Sequence, residues 1–245
     1  LNDVEQWTLL DPVYKAYTKG LCGYAERGEK EWKRLLGSFF AEGVNIAIVK
    51  NDEGHIEGYA VYRLGAPEIP VTEFVYTTRR AQRGLLNYFY NHRSQGESIR
   101  WNEGLHDTGY RFVPDGKTGH TTMPYMMARI VDVETALTTV PINPEAVVMA
   151  ITLTIKVADT LCDWNMGVFA LTLGDGSLPV VKCISDSNEE KIDITVDIGG
   201  LAALLMGAVS ANDLVFEGKL QGDSHWIEYL DMVYPKQNTY INEWW

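Results

Sequence analysis

Hydrophobic positions change their spacing several times along the chain, and each change marks an element. Leu9, Leu10, Val13, Tyr17 and Leu21 recur at helical intervals, so residues 8–20 read as a helix with Asp11-Pro12 as its start signal. Trp32, Leu35, Leu36, Phe39 and Phe40 fall at i, i+3, i+4, i+7 and i+8, which makes 29–40 a second helix. Residues 44–50 are apolar and β-branched; the turn Asn51-Asp52-Glu53-Gly54 returns them as a second strand over 56–64, and 71–76 alternates as a third. Thr77 or Thr78 then caps a helix whose apolar face is Leu85, Leu86, Tyr88 and Phe89. It runs to about Ser94, before Gly96. A short strand follows at 97–101, a polar loop at 103–120, an apolar strand at 123–133 and a short helix at 134–139. Residues 147–157, 167–173, 179–185 and 191–196 read as strands, 198–209 and 223–233 as helices, 212–217 as a short extended or helical piece, and 235–245 as a tail.

The first half is thus a mixed sheet with helices, and the second a mainly antiparallel sheet flanked by helices. Both are α+β layer architectures. A length of 245 residues suits two domains of this kind. Charge breaks at the same place: residues 1–130 hold 16 acids and 16 bases, residues 131–245 hold 17 acids and 5 bases, and 0 and −12 add to the net −12 of the whole.

That balance disfavours a nucleic-acid partner and favours a cationic one. No apolar run approaches the ~20 residues of a membrane-spanning helix, so no membrane partner is expected. The first 21 residues lack the apolar block of a signal peptide. Cys22, Cys162 and Cys183 form no disulfide framework and read as small buried hydrophobes in a reducing cytoplasm. The chain starts at Leu1 rather than methionine, which fits either processing or a piece of a longer protein.

Candidate chemistry is sparse. No glycine-rich nucleotide loop, nucleophile elbow or HExxH pattern occurs, and the five histidines are not at metal-ligand spacing, so no metal is expected. His106-Asp107 reads as a surface pair. Arg79, Arg80 and Arg83 open the helix after the third strand; they are either a phosphate cradle or a solvated face, and the glycines that would admit a pyrophosphate are missing. Trp244 and Trp245 end the chain, and their apolar surface is costly in water. Either they anchor the tail in a groove, or docking also places the terminal carboxylate where it can act as a general base.

The order of hairpin, strand, helix and strand resembles the spine of the GNAT acyltransferases. The runs MMARIVDVETAL (126–137) and ADTLCDWNMGVFAL (158–171), with the aromatic C-terminal end, resemble GNAT N-acetyltransferases of the enhanced intracellular survival type. The resemblance implies a second, degenerate GNAT domain over 1–135 and a sterol-carrier-like domain over 140–245. Acetyl-CoA would be the cosubstrate, bound mainly outside this chain. The family's catalytic base, a terminal carboxylate, falls on Trp245. Its aromatic and acidic substrate pocket makes Trp32, Glu243 and Trp244 the candidate contacts.

The function this implies is acetyl-CoA-dependent N-acetylation of a small cationic amine, by a cytoplasmic protein that can form homo-oligomers. The alternative is a non-catalytic module that binds an apolar ligand or partner through the sterol-carrier-like domain. In either case residues 235–245 are expected to lie against the first half of the chain, since only coverage of both tryptophans offsets ordering of the tail.

Overall fold

The computed structural model describes residues 1–65, 67–107, 109, 118–123, 126–174, 178–184 and 191–243. They fall into two units: Leu1–Thr122 together with Thr239–Trp245, and Met123–Asn238.

The first unit runs α1 (Trp7–Thr18), α2 (Glu29–Ala41), β1 (Asn45–Lys50), β2 (Ile56–Tyr62), β3 (Glu68–Tyr76), α3 (Arg79–Asn91) and β4 (Ser98–Trp101). Its sheet has the order β1-β2-β3-β4, antiparallel except for the parallel β3/β4 pair. Helix α1 begins earlier than its Asp-Pro signal suggests. Asp3 and Gln6 form a capping box on the preceding turn, and Asp11 is spent on another bond, described below. Thr78 caps α3, as its position suggests. Leu85 and Phe89 are buried, Leu86 is half-buried, and Arg79, Arg80 and Arg83 are exposed. The amphipathic stripe therefore packs one face only, against Ala60, Tyr62, Val71 and Phe74.

One irregularity in this sheet matters later. Val61 pairs with Glu73, but the next residue, Tyr62, pairs with Val71, so β3 carries an extra residue at Thr72. Before this bulge Ile69 and Val71 of β3 face α3; after it Phe74 does, and Val75 joins Tyr59 and Val61 of β2 in the core against α1 and α2. Glu73 lies opposite Val61 and turns to that second face. β4 pairs with β3 only from Glu68 to Val71.

The second unit runs α4 (Val133–Thr139), β5 (Ile151–Ala158), β6 (Gly167–Leu173), β7 (Val180–Ile184), β8 (Ile194–Asp197), α5 (Ile198–Leu205), α6 (Ala211–Phe216), β9 (Leu220–Gly222) and α7 (Ser224–Val233). Its sheet has the order β7-β6-β5-β8-β9, with β5/β8 parallel and the rest antiparallel. Strand β9 has no counterpart in the hydrophobic pattern, being three residues long. Helix α5 stops four residues short of expectation because Gly207, at φ +67°, closes it: its N–H bonds the carbonyl of Leu204 and that of Ala208 bonds Ala203.

The expected strand at 123–133 is not found among the described residues. Its main-chain groups are taken by side chains instead of a ladder. Asn165 accepts the N–H of Val133 at 3.1 Å and donates to the carbonyl of Ile130 at 3.4 Å, and the Trp164 indole donates to Val131 at 2.8 Å. Asn165 also donates to Asp159, whose carboxylate holds Arg129 at 2.7 and 2.8 Å. Burial alone would raise the Asp159 pKa, but the N–H of Leu161, the Asn165 amide and Arg129 together hold it below the carboxylate range. The Asp…Trp-Asn motif is therefore a brace that ties two loops. The cysteines also depart from expectation: Cys183 is exposed and the other two are half-buried. Among the described residues no helix is long and apolar enough to cross a membrane.

Candidate functional site

Two groups of polar side chains lie in the first unit, joined by the segment 239–243. The first centres on Arg27, in the loop between α1 and α2. Its guanidinium grips Glu73 of β3 with Nη2 at 2.6 Å and Nη1 at 3.3 Å. The same guanidinium donates through Nε to Glu243 at 2.7 Å, with Nη2 2.5 Å from that carboxylate. The side chains of Arg27 and Glu73 are each 3% exposed and that of Glu243 10%. Tyr59 donates its hydroxyl to Glu73 at 2.7 Å. The guanidinium carbon lies 4.1 Å from the Tyr14 ring centre and 4.7 Å from that of Trp32. Burial by itself would lower the Arg27 pKa, but the adjacent Glu73 carboxylate outweighs it and Arg27 stays charged. Burial, reinforced by Glu73, pushes the Tyr59 hydroxyl well above its ordinary value, so it remains a donor.

Trp32, expected as a substrate contact, is fully buried, and its indole N–H is donated to Asp11 at 2.9 Å. Glu243, expected as an acidic wall, is engaged by Arg27. The two therefore meet through a residue that sequence reasoning did not single out. Trp244 and Trp245 lie outside the described residues.

The segment that carries Glu243 is pinned at two further points. The Tyr240 N–H bonds the Cys22 carbonyl at 2.9 Å, and the Asn242 side-chain amide donates to the Thr72 carbonyl at the β3 bulge. The Tyr240 ring packs edge-on to Tyr17, 5.4 Å between centres, within the α1/α2 core.

Tyr17 leads to the second group, a cleft of about 560 Å³ at the start of α3. It is lined by Tyr17, Tyr76, Thr78, Gln82, His106 and Asp107 among others. Asp107 is buried, not a surface residue: it accepts the Tyr76 hydroxyl and, at 2.8 Å, the N–H of Gly109. Gln82 donates to the Tyr76 hydroxyl at 2.9 Å. The Tyr17 hydroxyl and His106 Nδ1 are buried with no partner among the described residues. Burial lowers the His106 pKa, against a smaller opposing effect of Asp107, and burial also raises Glu103. Tyr17 and Tyr76 could have been found only as tyrosines at the ends of a helix and a strand.

The start of α3 is not a free anion cradle. The Thr78 hydroxyl accepts the N–H of Ala81 and donates to Glu57 at 2.9 Å, and Glu57 also binds Arg80 at 3.0 Å. The cap hydroxyl and Arg80 are thus already engaged by a carboxylate, and with no glycine-rich turn before the helix the residues present do not fit a pyrophosphate. Among the described residues no cluster of His, Cys, Asp and Glu could hold a metal ion.

In the second unit an apolar groove of about 340 Å³ is lined by Ile130, Val131, Ala136, Val140, Leu205 and Met206 among others.

The fold has relatives of known structure. A protein of Enterococcus faecalis V583 described as a probable N-acyltransferase matches with a TM-score of 0.84 and 24% identity, over 98% of this chain and 59% of that one. A GCN5-related N-acetyltransferase of Anabaena variabilis matches at 0.73 and 18%, over 97% and 60%. Eis1 of Mycobacterium abscessus matches at 0.64 and 19%, over 95% and 59%. The chain thus spans about three fifths of the length of these proteins, and at such identities the likeness is one of fold. No curated protein is significantly similar to it in sequence. Residues 23–130 match the family described as acetyltransferase (GNAT) domain, and residues 133–242 match the sterol carrier protein domain. In fold, the chain is therefore a GNAT-like domain followed by a sterol-carrier-protein-like domain.

Proposed function

We propose that these residues are part of an acetyl-CoA-dependent N-acetyltransferase of the enhanced intracellular survival type, acting on a small cationic amine, with the Trp245 carboxylate as general base. The observation that carries this reading is the burial of the terminal segment. Chain ends ordinarily fray, yet Tyr240, Asn242 and Glu243 are each more than nine-tenths buried in the acetyltransferase-like unit. In this reading the carboxylate accepts a proton from the amine as it attacks the acyl carbon, and acetyl-CoA supplies the activated acyl group. In the same reading the acetyl-donor site lies outside these residues, in keeping with the poor fit at α3. The net charge of −12 supports a cationic substrate. Trp32 and Glu243 then support the tail rather than touch substrate, and Trp244 remains the proposed contact.

The test is to extend the intact enzyme by one or two residues beyond Trp245. Turnover is expected to vanish while the melting temperature stays nearly unchanged; an extended enzyme with normal activity overturns the general-base role. The apolar groove of the second unit supports the other reading, a module that binds an apolar ligand. Saturable binding of a fluorescent fatty acid by an intact protein without transferase activity would favour it.

A further inference from the structure

We infer that Arg27 and Glu73 form a clasp that grips Glu243 and thereby positions the C-terminal carboxylate; the catalytic consequence, though not the clasp itself, rests on the general-base reading above. One guanidinium serves two carboxylates, and the two are not equivalent. Glu73 is built into β3, accepts the Tyr59 hydroxyl, and makes a two-point pair with Arg27. The two charges cancel, so the pair is complete without the tail. Glu243 is the second, surplus carboxylate, and it sits on the segment that can leave. If it departs, no buried charge is left unpaired. The Arg27–Glu73 pair therefore does not need Glu243, but Glu243 needs the pair.

Three fixed points within four residues set the register of the segment: the Tyr240 N–H on Cys22, the Asn242 amide on the bulge carbonyl of Thr72, and the Glu243 carboxylate on Arg27. The bulge is also what turns Glu73 toward Arg27. Two residues follow Glu243 in the sequence, and a chain advances at most ~3.6 Å per residue, so little chain separates them from this anchor. Only a planar fork can address both carboxylates in this way, which a lysine cannot do. Arg27 and Glu73 are accordingly positioning residues.

The experiment is hydrogen exchange of the Tyr240 amide, read by mass spectrometry, alongside steady-state kinetics of the intact enzyme. Glu243→Ala leaves the Arg27–Glu73 pair closed, so the variant keeps its fold. Exchange at Tyr240 is expected to quicken by roughly 10-fold or more, as loss of a buried charge-assisted bond implies. Turnover is expected to fall by a similar factor with KM for acetyl-CoA within about twofold. Glu243→Gln, which keeps a hydrogen bond without the charge, is expected to fall between, and Arg27→Lys to behave like Glu243→Ala. Unchanged exchange in Glu243→Ala overturns the clasp whatever the activity does. Faster exchange with undiminished turnover upholds the clasp and overturns the general-base reading alone.

Discussion

Replacing Arg27 by methionine keeps most of the side-chain volume and removes the charge, which makes it a direct measure of what the guanidinium does. In the variant Glu243 can swing into solvent with its segment. Glu73 cannot, because it is fixed in β3 and its side chain is 3% exposed. The cost is therefore set by one stranded carboxylate, about 3–5 kcal/mol when one partner of a buried pair is removed. Against a total stability of ~5–15 kcal/mol for a domain this is a large fraction. The double variant Arg27→Met/Glu73→Gln removes the stranded charge, while the glutamine carbonyl still accepts the Tyr59 hydroxyl. It is expected to recover about 2 kcal/mol or more, with the remaining loss at the level of imperfectly satisfied amide groups, ~1–3 kcal/mol. A chain of two units need not unfold in one step. The suitable assay is thus native-state hydrogen exchange of the paired β2 and β3 amides, which reports the first unit by itself. A double variant no more stable than Arg27→Met would show that a stranded charge is not what destabilises the single one.

Three further outcomes follow from the geometry. Asn165→Ala strands the buried N–H of Val133 and removes one of several donors to Asp159, so the second unit should lose about 1–3 kcal/mol for the unsatisfied N–H, measured by exchange of the β5 and β6 amides; a loss below ~0.5 kcal/mol would contradict the bracing role. Burial lowers the His106 pKa, so the unfolded chain binds a proton in a pH range where the folded one does not. Stability should fall as pH drops below the unfolded value of about 6.5, and a His106→Gln variant should lose less between pH 7 and 5.5, by urea midpoint; equal losses refute it. Calorimetric titration of these residues with coenzyme A should show no micromolar binding, since Glu57 and the Thr78 cap occupy the start of α3.

The repeating elements of this protein are legible in its sequence. The stripes of α2 and α3 and the apolar runs of β1, β2 and β6 state which face must be buried, and burial of one face decides helix or strand locally. Where main-chain groups find side-chain partners instead of a neighbouring strand, pattern misleads: the apolar run ending at Val133 looks like a strand but is braced by Asn165 and Trp164. The resemblance picked out Glu243, Trp244 and Trp245, yet nothing local marked Arg27, one arginine among many in a polar loop. Glu73 was visible as a charge within an apolar strand, but its partner Arg27 lies 46 residues back, and Glu243, which shares that arginine, comes near the end of the sequence. What joins them is tertiary: a bulge at Thr72 turns Glu73 onto the face where Arg27 stacks on Tyr14 and Trp32, and the returning segment brings Glu243 to the same guanidinium. Hydrophobic spacing determines faces, because burial acts residue by residue. Which buried charge meets which depends on strand register and on where distant segments dock, and only the assembled fold sets those.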